Sequence, residues 1–429
     1  MKRNILLFTA FMVIYPLLGQ MLPLDGVFNS ARIDSHLGAP SGTDPIAAGK
    51  PKFLGCAYGP AQAFQFAEYW NQITTENAGK WGSVEAVQDV MDWAALDDAY
   101  NLAKDNGFIF KLHVLVWGNQ QPAWIEDLTP SEQLVQIKEW FQALASRYPE
   151  IDVIEVVNEP LHDPPNSPGS GGGNYIEALG GTGTTGYDWV IQAFTLAREY
   201  FPGVQLMLNE YGILNDTPTA NEYKLLIELL KDEGLIDQVG VQAHYFTTSN
   251  ATVWQINHIL DILAETDLPI FITEMDIQGP TDQVQLEEFQ RVFPEFWKHP
   301  AVRGITLWGF RPGLWVADAN LIRPDGTERP ALIWLRNFVT NFVLTTMELG
   351  NSEDIRVFPN PAAEGFFIDG VDVVERVALV NMQGQLIQVE KPASVYFSLS
   401  QNVGPGLYVA LIFTSQEIFV KKVVVEGKQ

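Results

Sequence analysis

The chain has 429 residues, 47% of them hydrophobic, enough for one large core and a smaller appendage, since α/β barrels often fill about 250 residues as a single domain. Its 26 basic residues face 52 acidic ones, and the formal charge of −26 excludes a phosphate-backbone partner such as nucleic acid and favours a neutral polymer or small neutral ligand. Cys56 is the only cysteine, which excludes an intramolecular disulfide and a thiolate metal cluster. The histidines His36, His113, His162, His244, His258 and His299 lack His-x-x-x-His spacing, so neither a catalytic metal nor another cofactor is expected.

Lys2 and Arg3 precede an apolar run from Ile5 to Leu18 and then Gly19 and Gln20, the layout of a secretory signal peptide over residues 1–19. The run is shorter than the about 20 apolar residues that a membrane span needs. Its removal takes two basic residues and leaves 24 − 52 = −28, an acidic exported protein. The lead-in segment 20–47 is rich in Pro, Gly, Ser and Asp and has no sustained periodicity.

From Lys52 onward, strand-like apolar runs alternate with helix-period segments. The runs are Phe53–Ala57, Gln72–Thr75, Phe108–Val116, Val153–Val157, Val204–Leu208, Gln238–Ala243, Ile270–Thr273 and Gly304–Trp308. Between them lie segments such as Trp93–Asn106, Ser131–Arg147, Asp188–Tyr200, Ala220–Glu233 and Gln283–Lys298. Eight βα units predict a closed (β/α)8 TIM barrel over residues 48–345. An open doubly wound sheet is the other architecture with this alternation, but no Gly-x-Gly-x-x-Gly turn follows the first strand. The Gly- and Pro-rich stretch Asp163–Gly186 is expected to form an unpacked, mobile rim on one side of a cleft. After a linker at 346–354, short β-prone runs from Ile355 to Val425 predict a small all-β sandwich over residues 355–429.

Two strand ends carry the chemistry. Asp152–Pro160 and Pro269–Ile277 each run from an apolar strand into a turn with an acid at the tip, Glu159 in one and Glu274 in the other. In a barrel both reach the C-terminal rim, and two carboxyls on one rim are the minimum for cutting a glycosidic bond. A gap of about 5–5.5 Å gives direct attack and retention, and about 6.5–9.5 Å admits a water and gives inversion. Pro160 is expected to hold Glu159 extended. An ionised Glu274 would raise the pKa of Glu159. His244, oriented by Asp276, is placed to hydrogen-bond Glu274, and Asn158 to bind a sugar 2-hydroxyl.

Singly, each acid reads as a solvated strand end and each tryptophan as core. Companion segments at the other strand ends change that: Glu76, Asn77 and Lys80 after the second; His113, Trp117 and Gln120 after the third; Gln242 beside His244 after the sixth; Trp308 and Trp315 after the eighth, two indoles able to stack on sugar faces.

On these motifs, residues from about 48 to 345 resemble glycoside hydrolase family 10, the retaining endo-β-1,4-xylanases. The resemblance implies Glu159 as acid/base and Glu274 as nucleophile. It implies Glu76, Asn77, Lys80, His113, Trp117 and Gln120 in the glycone subsites, Gln242 and His244 supporting the nucleophile, Trp308 and Trp315 closing the −1 region, and Tyr211 on the aglycone side. Gly118 stands where the family usually has histidine. Xylan or xylo-oligosaccharides, without a cofactor, are the implied substrates, and a monomer is expected. Related barrel enzymes on β-glucan or mannan share Asn-Glu-Pro, and the Glu76, Asn77, Lys80 cluster favours xylan. A non-catalytic glycan-binding protein is the reading from a different class.

The tail, with Val357–Pro361, Asn381–Gln385, Gly406–Val409 and Phe419–Val425, resembles the sorting domain of the type IX secretion system. That implies secretion machinery as a partner and a secreted or cell-surface location. A carbohydrate-binding sandwich is the alternative, but the tail has no tryptophan.

Overall fold

The computed structural model describes residues 44–166, 173–342, 348–349, 355–371, 373–374, 376–381, 386–390, 395–401, 403–414 and 417–426. The expected signal peptide and nearly all of the lead-in segment lie outside the described residues. The chain divides into two compact units, Met1–Phe342 and Val343–Gln429.

In the first unit, eight parallel strands close into a barrel in chain order: β1 (Phe53–Tyr58), β2 (Gln72–Thr75), β3 (Ile109–Leu112), β4 (Val153–Asn158), β5 (Gln205–Asn209), β6 (Gln238–Val241), β7 (Ile270–Met275) and β8 (Val302–Leu307). β8 returns to β1 with Phe53 opposite Gly304 and Gly55 opposite Thr306, so the sheet has no free edge. A Cβ at Gly304 would run into the ring of Phe53, and the glycine is what lets the barrel close at that point.

Helices Ala94–Asn106, Pro130–Arg147, Asp188–Tyr200, Thr217–Asp232, Val253–Ala264, Asp282–Lys298 and Pro330–Asn341 surround the strands. Two start on a capping box: Thr129 with Glu132, followed by Pro130, and Thr252 with Gln255. The expectation of a helix after every strand is corrected at the first one. Two single 3₁₀ turns, Pro60–Gln62 and Phe66–Glu68, join β1 to β2. Gln65, at φ 57, breaks this short segment, and Phe66 and Trp70 seal it by packing edge-on against Phe310. β3 and β6 are shorter than their apolar runs. Past Leu112 only Val116 returns to the ladder, as an isolated bridge to Val157, and past Val241 the chain turns through Ala243 at φ 61.

The stretch 163–186 departs from expectation in part: residues 173–181 are largely packed, while 182–186 are exposed. Tyr175 and Leu179 are fully buried, and the single proton of the Tyr175 hydroxyl is shared between the Trp117 carbonyl at 2.9 Å and the Gln121 amide oxygen at 2.8 Å. Its ring meets the edge of Trp81, which stacks on Trp140, which stacks in turn on Trp93. Cys56 is buried inside β1, and burial pushes its thiol well above the ordinary value. Among the described residues no helix is long and apolar enough to cross a membrane.

The second unit is all β. One antiparallel sheet orders β10 (Arg356–Phe358), β11 (Gly365–Asp369) and β14 (Tyr396–Ser398). The other orders β13 (Leu386–Glu390), β12 (Arg376–Asn381), β15 (Gly406–Phe413), β16 (Glu417–Val425) and β9 (Glu348–Leu349), the last pairing in parallel with β16. Phe366, Phe397, Leu379, Ile412 and Val423 form a core of their own, separate from that of the barrel.

Candidate active site

β4 is buried along its whole length, as a strand covered on both faces should be, and the next residue emerges at the C-terminal rim. That residue, Glu159, is not extended as Pro160 led us to expect. It sits at φ 55, held there because its N–H donates to the Asn209 carbonyl at 2.9 Å while its own carbonyl accepts from His162 and Asp163 at 3.2 and 2.8 Å. A left-handed non-glycine residue costs on the order of 1–3 kcal/mol and persists only where neighbours fix it. The carboxyl accepts from Trp117 Nε1 and from Gln242 Nε2, each at 2.7 Å. Burial pushes Glu159 up to about 8; the charges of Glu274 and Glu210 act in the same direction and the two hydrogen bonds oppose them.

Glu274, on β7, is more tightly held. Its Oε1 accepts from Asn209 Nδ2 at 2.8 Å, and its Oε2 lies 3.2 Å from His244 Nε2. Burial alone would raise this carboxyl, but the His244 hydrogen bond and the charges of His113 and His244 outweigh it and hold Glu274 below the ordinary carboxylate range. His244 Nδ1 lies 2.7 Å from Asp276 Oδ2. Burial would lower this imidazole, but Asp276 and Glu274 reverse the effect and push it up to about 10. The imidazolium therefore donates from both ring nitrogens, one to each carboxylate.

Three amides join the two acids. Asn158 Oδ1 accepts from Asn209 Nδ2 at 3.0 Å and from Gln242 Nε2 at 3.1 Å, so a continuous path runs from Glu159 through Gln242, Asn158 and Asn209 to Glu274. This corrects the expectation for Gln242, whose side chain serves Glu159. Only its backbone carbonyl reaches Glu274, accepting that residue's N–H at 3.0 Å. Asn158 is buried with its oxygen committed to the two neighbouring amides, so an arriving sugar hydroxyl would meet its amide nitrogen.

Around the acids the rim residues form linked groups. Lys80 Nζ donates to Asn77 Oδ1 at 3.0 Å and Gln120 Oε1 at 2.5 Å and lies 5.1 Å from the centre of the Trp117 ring. Glu76 is raised by burial, with Lys80 opposing. Trp308 is nearly buried and turns its edge toward His113 and His244, at 5.4 and 6.3 Å between ring centres. Trp315 is 56% exposed, and its Nε1 donates to Asp276 Oδ2 at 3.2 Å. Tyr211 stands apart from this group, its ring 4.3 Å from His162 and 5.8 Å from Phe246.

Residues 48–339 match the model of glycosyl hydrolase family 10, and residues 356–426 match that of a secretion system C-terminal sorting domain. The chain belongs to glycosyl hydrolase family 10. It is 41% identical over 279 residues to endo-1,4-beta-xylanase B of Cellvibrio japonicus, a match that covers 64% of this chain and 44% of that relative's length. In fold it is similar to a family 10 structure from Paenibacillus barcinonensis, with a TM-score of 0.60 and 24% identity over 70% of this chain and 99% of the other. It is also similar to xylanase 10B from Thermotoga petrophila solved in complex with xylobiose, with a TM-score of 0.59 and 22% identity over 71% of this chain and 98% of the other.

Against the usual family pattern, the glycine at 118 has a steric reason. Its N–H donates to the Asp163 carbonyl at 2.9 Å, and a Cβ there would run into the carbonyl oxygens of Asp163 and Pro164. The loop after β4 lies over this position and leaves no room for an imidazole.

Four residues at the site, Glu155, Lys111, Asn209 and Glu210, were missed by sequence reasoning. Glu155, fully buried on β4, receives Lys111 at 2.9 Å, His113 at 2.9 Å and Asn209 at 3.1 Å. Burial would raise it, but Lys111 and His113 outweigh burial and hold it down to about 2. The signal was a charge in the middle of each of two apolar runs, Glu155 in one and Lys111 in the other. Asn209 and Glu210 repeat, at the end of β5, the Asn158 and Glu159 pair at the end of β4. His113, Glu155 and Glu274 bring possible ligand atoms within 4.8 Å of one another, but Lys111 already places an ammonium on this cluster, which suits hydrogen bonding better than a second cation.

Proposed function

We propose that this chain is a retaining endo-β-1,4-xylanase that hydrolyses internal β-1,4-xylosidic bonds of xylan by double displacement. One observation carries the division of roles: the environments of Glu159 and Glu274 push their proton affinities in opposite directions, one toward the acid and the other toward the carboxylate, while retention is what membership of family 10 implies. Glu274 then attacks the anomeric carbon while Glu159 gives its proton to the departing glycosidic oxygen. Esterification removes the charge of Glu274, one of the influences that raised Glu159. Glu159 can now ionise, accept a proton from water and direct the resulting hydroxide at the sugar ester.

His244 and Asp276 keep Glu274 ionised, and Gln242 and Trp117 orient Glu159. Glu76, Asn77, Lys80, His113 and Gln120 would bind the glycone, Trp308 and Trp315 would cover the −1 sugar, and Tyr211 would contact the aglycone. The xylan assignment is supported by the names of the relatives above and by the xylobiose complex. In this reading residues 1–19 are a signal peptide, 48–345 the hydrolase, 346–354 a linker and 355–429 a sorting domain recognised by secretion machinery, and the protein acts as a secreted or surface-held monomer. NMR of the first product from undecorated xylan tests the mechanism. A β-anomer is expected, and an initial α-anomer would overturn double displacement.

A further inference from the structure

We propose that Arg311 and Phe64 form a binding site for a carboxylate-bearing side group of the polymer, a uronic acid, on the rim beyond Glu76; this rests on the xylan reading above. The loops after β1 and β8 are joined by Gln62, whose Oε1 accepts the N–H groups of Phe310 and Arg311 at 2.9 and 2.8 Å. Arg311 is fixed on this platform. Its Nε donates to the Phe64 carbonyl at 2.9 Å, its Nη2 to Gln65 Oε1 at 3.2 Å, and its guanidinium lies 5.0 and 4.9 Å from the rings of Phe64 and Phe310.

Arg311 shares with Arg303, Arg356 and Arg376 the lack of a carboxylate partner among the described residues, while the other described arginines are paired. Arg147, Arg198, Arg291, Arg323, Arg329 and Arg336 each reach a carboxylate. Among the described residues Arg311 has no such partner within 4.0 Å. Glu68 on the same loop accepts from the amide nitrogen of Gln65 at 3.0 Å and forms no ion pair with Arg311. The guanidinium keeps Nη1 free of hydrogen bonds to the described residues, and a planar fork held between two rings loses little freedom on binding a carboxylate. Phe64, 69% exposed, adds an apolar face on which a pyranose can stack.

Position links the pair to the cleft. At the other end of the β1 loop, a Cβ on Gly59 would stand 3.3 Å from Glu76 Oε2, and the β8 loop that carries Arg311 is bounded by Trp308 and Trp315. The loops that carry Phe64 and Arg311 therefore leave the same rim as Glu76 and Trp308, and the proposed substituent belongs to a sugar bound along that rim.

The test compares kcat/KM on three xylo-oligosaccharides of equal length: one bearing a single glucuronate, the same compound with that carboxyl reduced to an alcohol, and one undecorated. The parent should prefer the charged form over the reduced form by about tenfold at low salt, the scale of one hydrogen bond to a charged group, and raising NaCl should erode the preference. Arg311→Gln should abolish the preference, and Arg311→Lys should retain part of it. Equal treatment of charged and reduced forms by the parent, or a loss in Arg311→Gln that is the same on all three substrates, overturns the proposal and leaves Arg311 as a loop anchor. Failure of the parent to cut the undecorated chain would strike the xylanase reading instead.

Discussion

Gln242 gives its side-chain amide to Glu159 at 2.7 Å, and this bond opposes the burial that pushes the carboxyl up to about 8. The proposed proton donor is thus tuned by a residue just past β6, two strands round the barrel. A hydrogen bond to the ionised form lowers a pKa, so its removal in Gln242→Leu should move the alkaline limb of the kcat/KM profile to higher pH by roughly one unit, since such bonds are worth about 1.5–3 kcal/mol. A pH series on a short xylo-oligosaccharide measures it, and an unmoved limb would show that Gln242 does not set the acid.

Replacing Glu274 by Ala should reduce kcat by about 10⁴-fold or more, the scale lost when a covalent nucleophile is removed. Azide, supplied as an external nucleophile, should restore bond cleavage with inversion. Turnover by the variant at the parent rate would refute the assignment.

Asp276→Asn probes the buried imidazolium. His244 is raised from 6.5 to about 10 in the folded chain, so the stability it contributes is fully present below about pH 6.5 and is lost as pH rises through about 10. The Tm deficit of the variant should therefore be largest near pH 6 and shrink toward pH 10. A deficit that is flat across that range would point to lost packing rather than lost charge pairing.

Tyr175→Phe removes a buried hydroxyl whose one proton is shared between the Trp117 carbonyl and Gln121. Leaving those acceptors unsatisfied should cost about 1–3 kcal/mol in chemical denaturation. Because Trp117 also touches Glu159, kcat should fall as well. Unchanged stability would mean that water takes the place of the hydroxyl.

The strands were legible because a buried parallel strand announces itself as a continuous apolar run, and the acids were legible because each interrupts the pattern where a strand meets the rim. The βα rhythm hid the connection after β1, where a left-handed Gln65 and two 3₁₀ turns replace a helix. The backbone of Glu159 was misjudged because the local preference set by Pro160 yields to a hydrogen bond that its N–H donates to a neighbouring strand, which no nearby residue encodes. Gln242 was assigned to the nearer acid in sequence terms, while its side chain crosses to the other. Glu155 and Lys111 went unread because each alone resembles a flaw in an apolar run; only the closed barrel shows that they meet.

With its lone sulfhydryl sealed inside β1 and shifted away from thiolate, the molecule offers a silent background for thiol-directed labelling. A cysteine introduced on the loop after β4 or after β8 would be the one site to take up a maleimide dye or spin probe, so movement of the cleft walls during turnover can be followed without first editing the native chain.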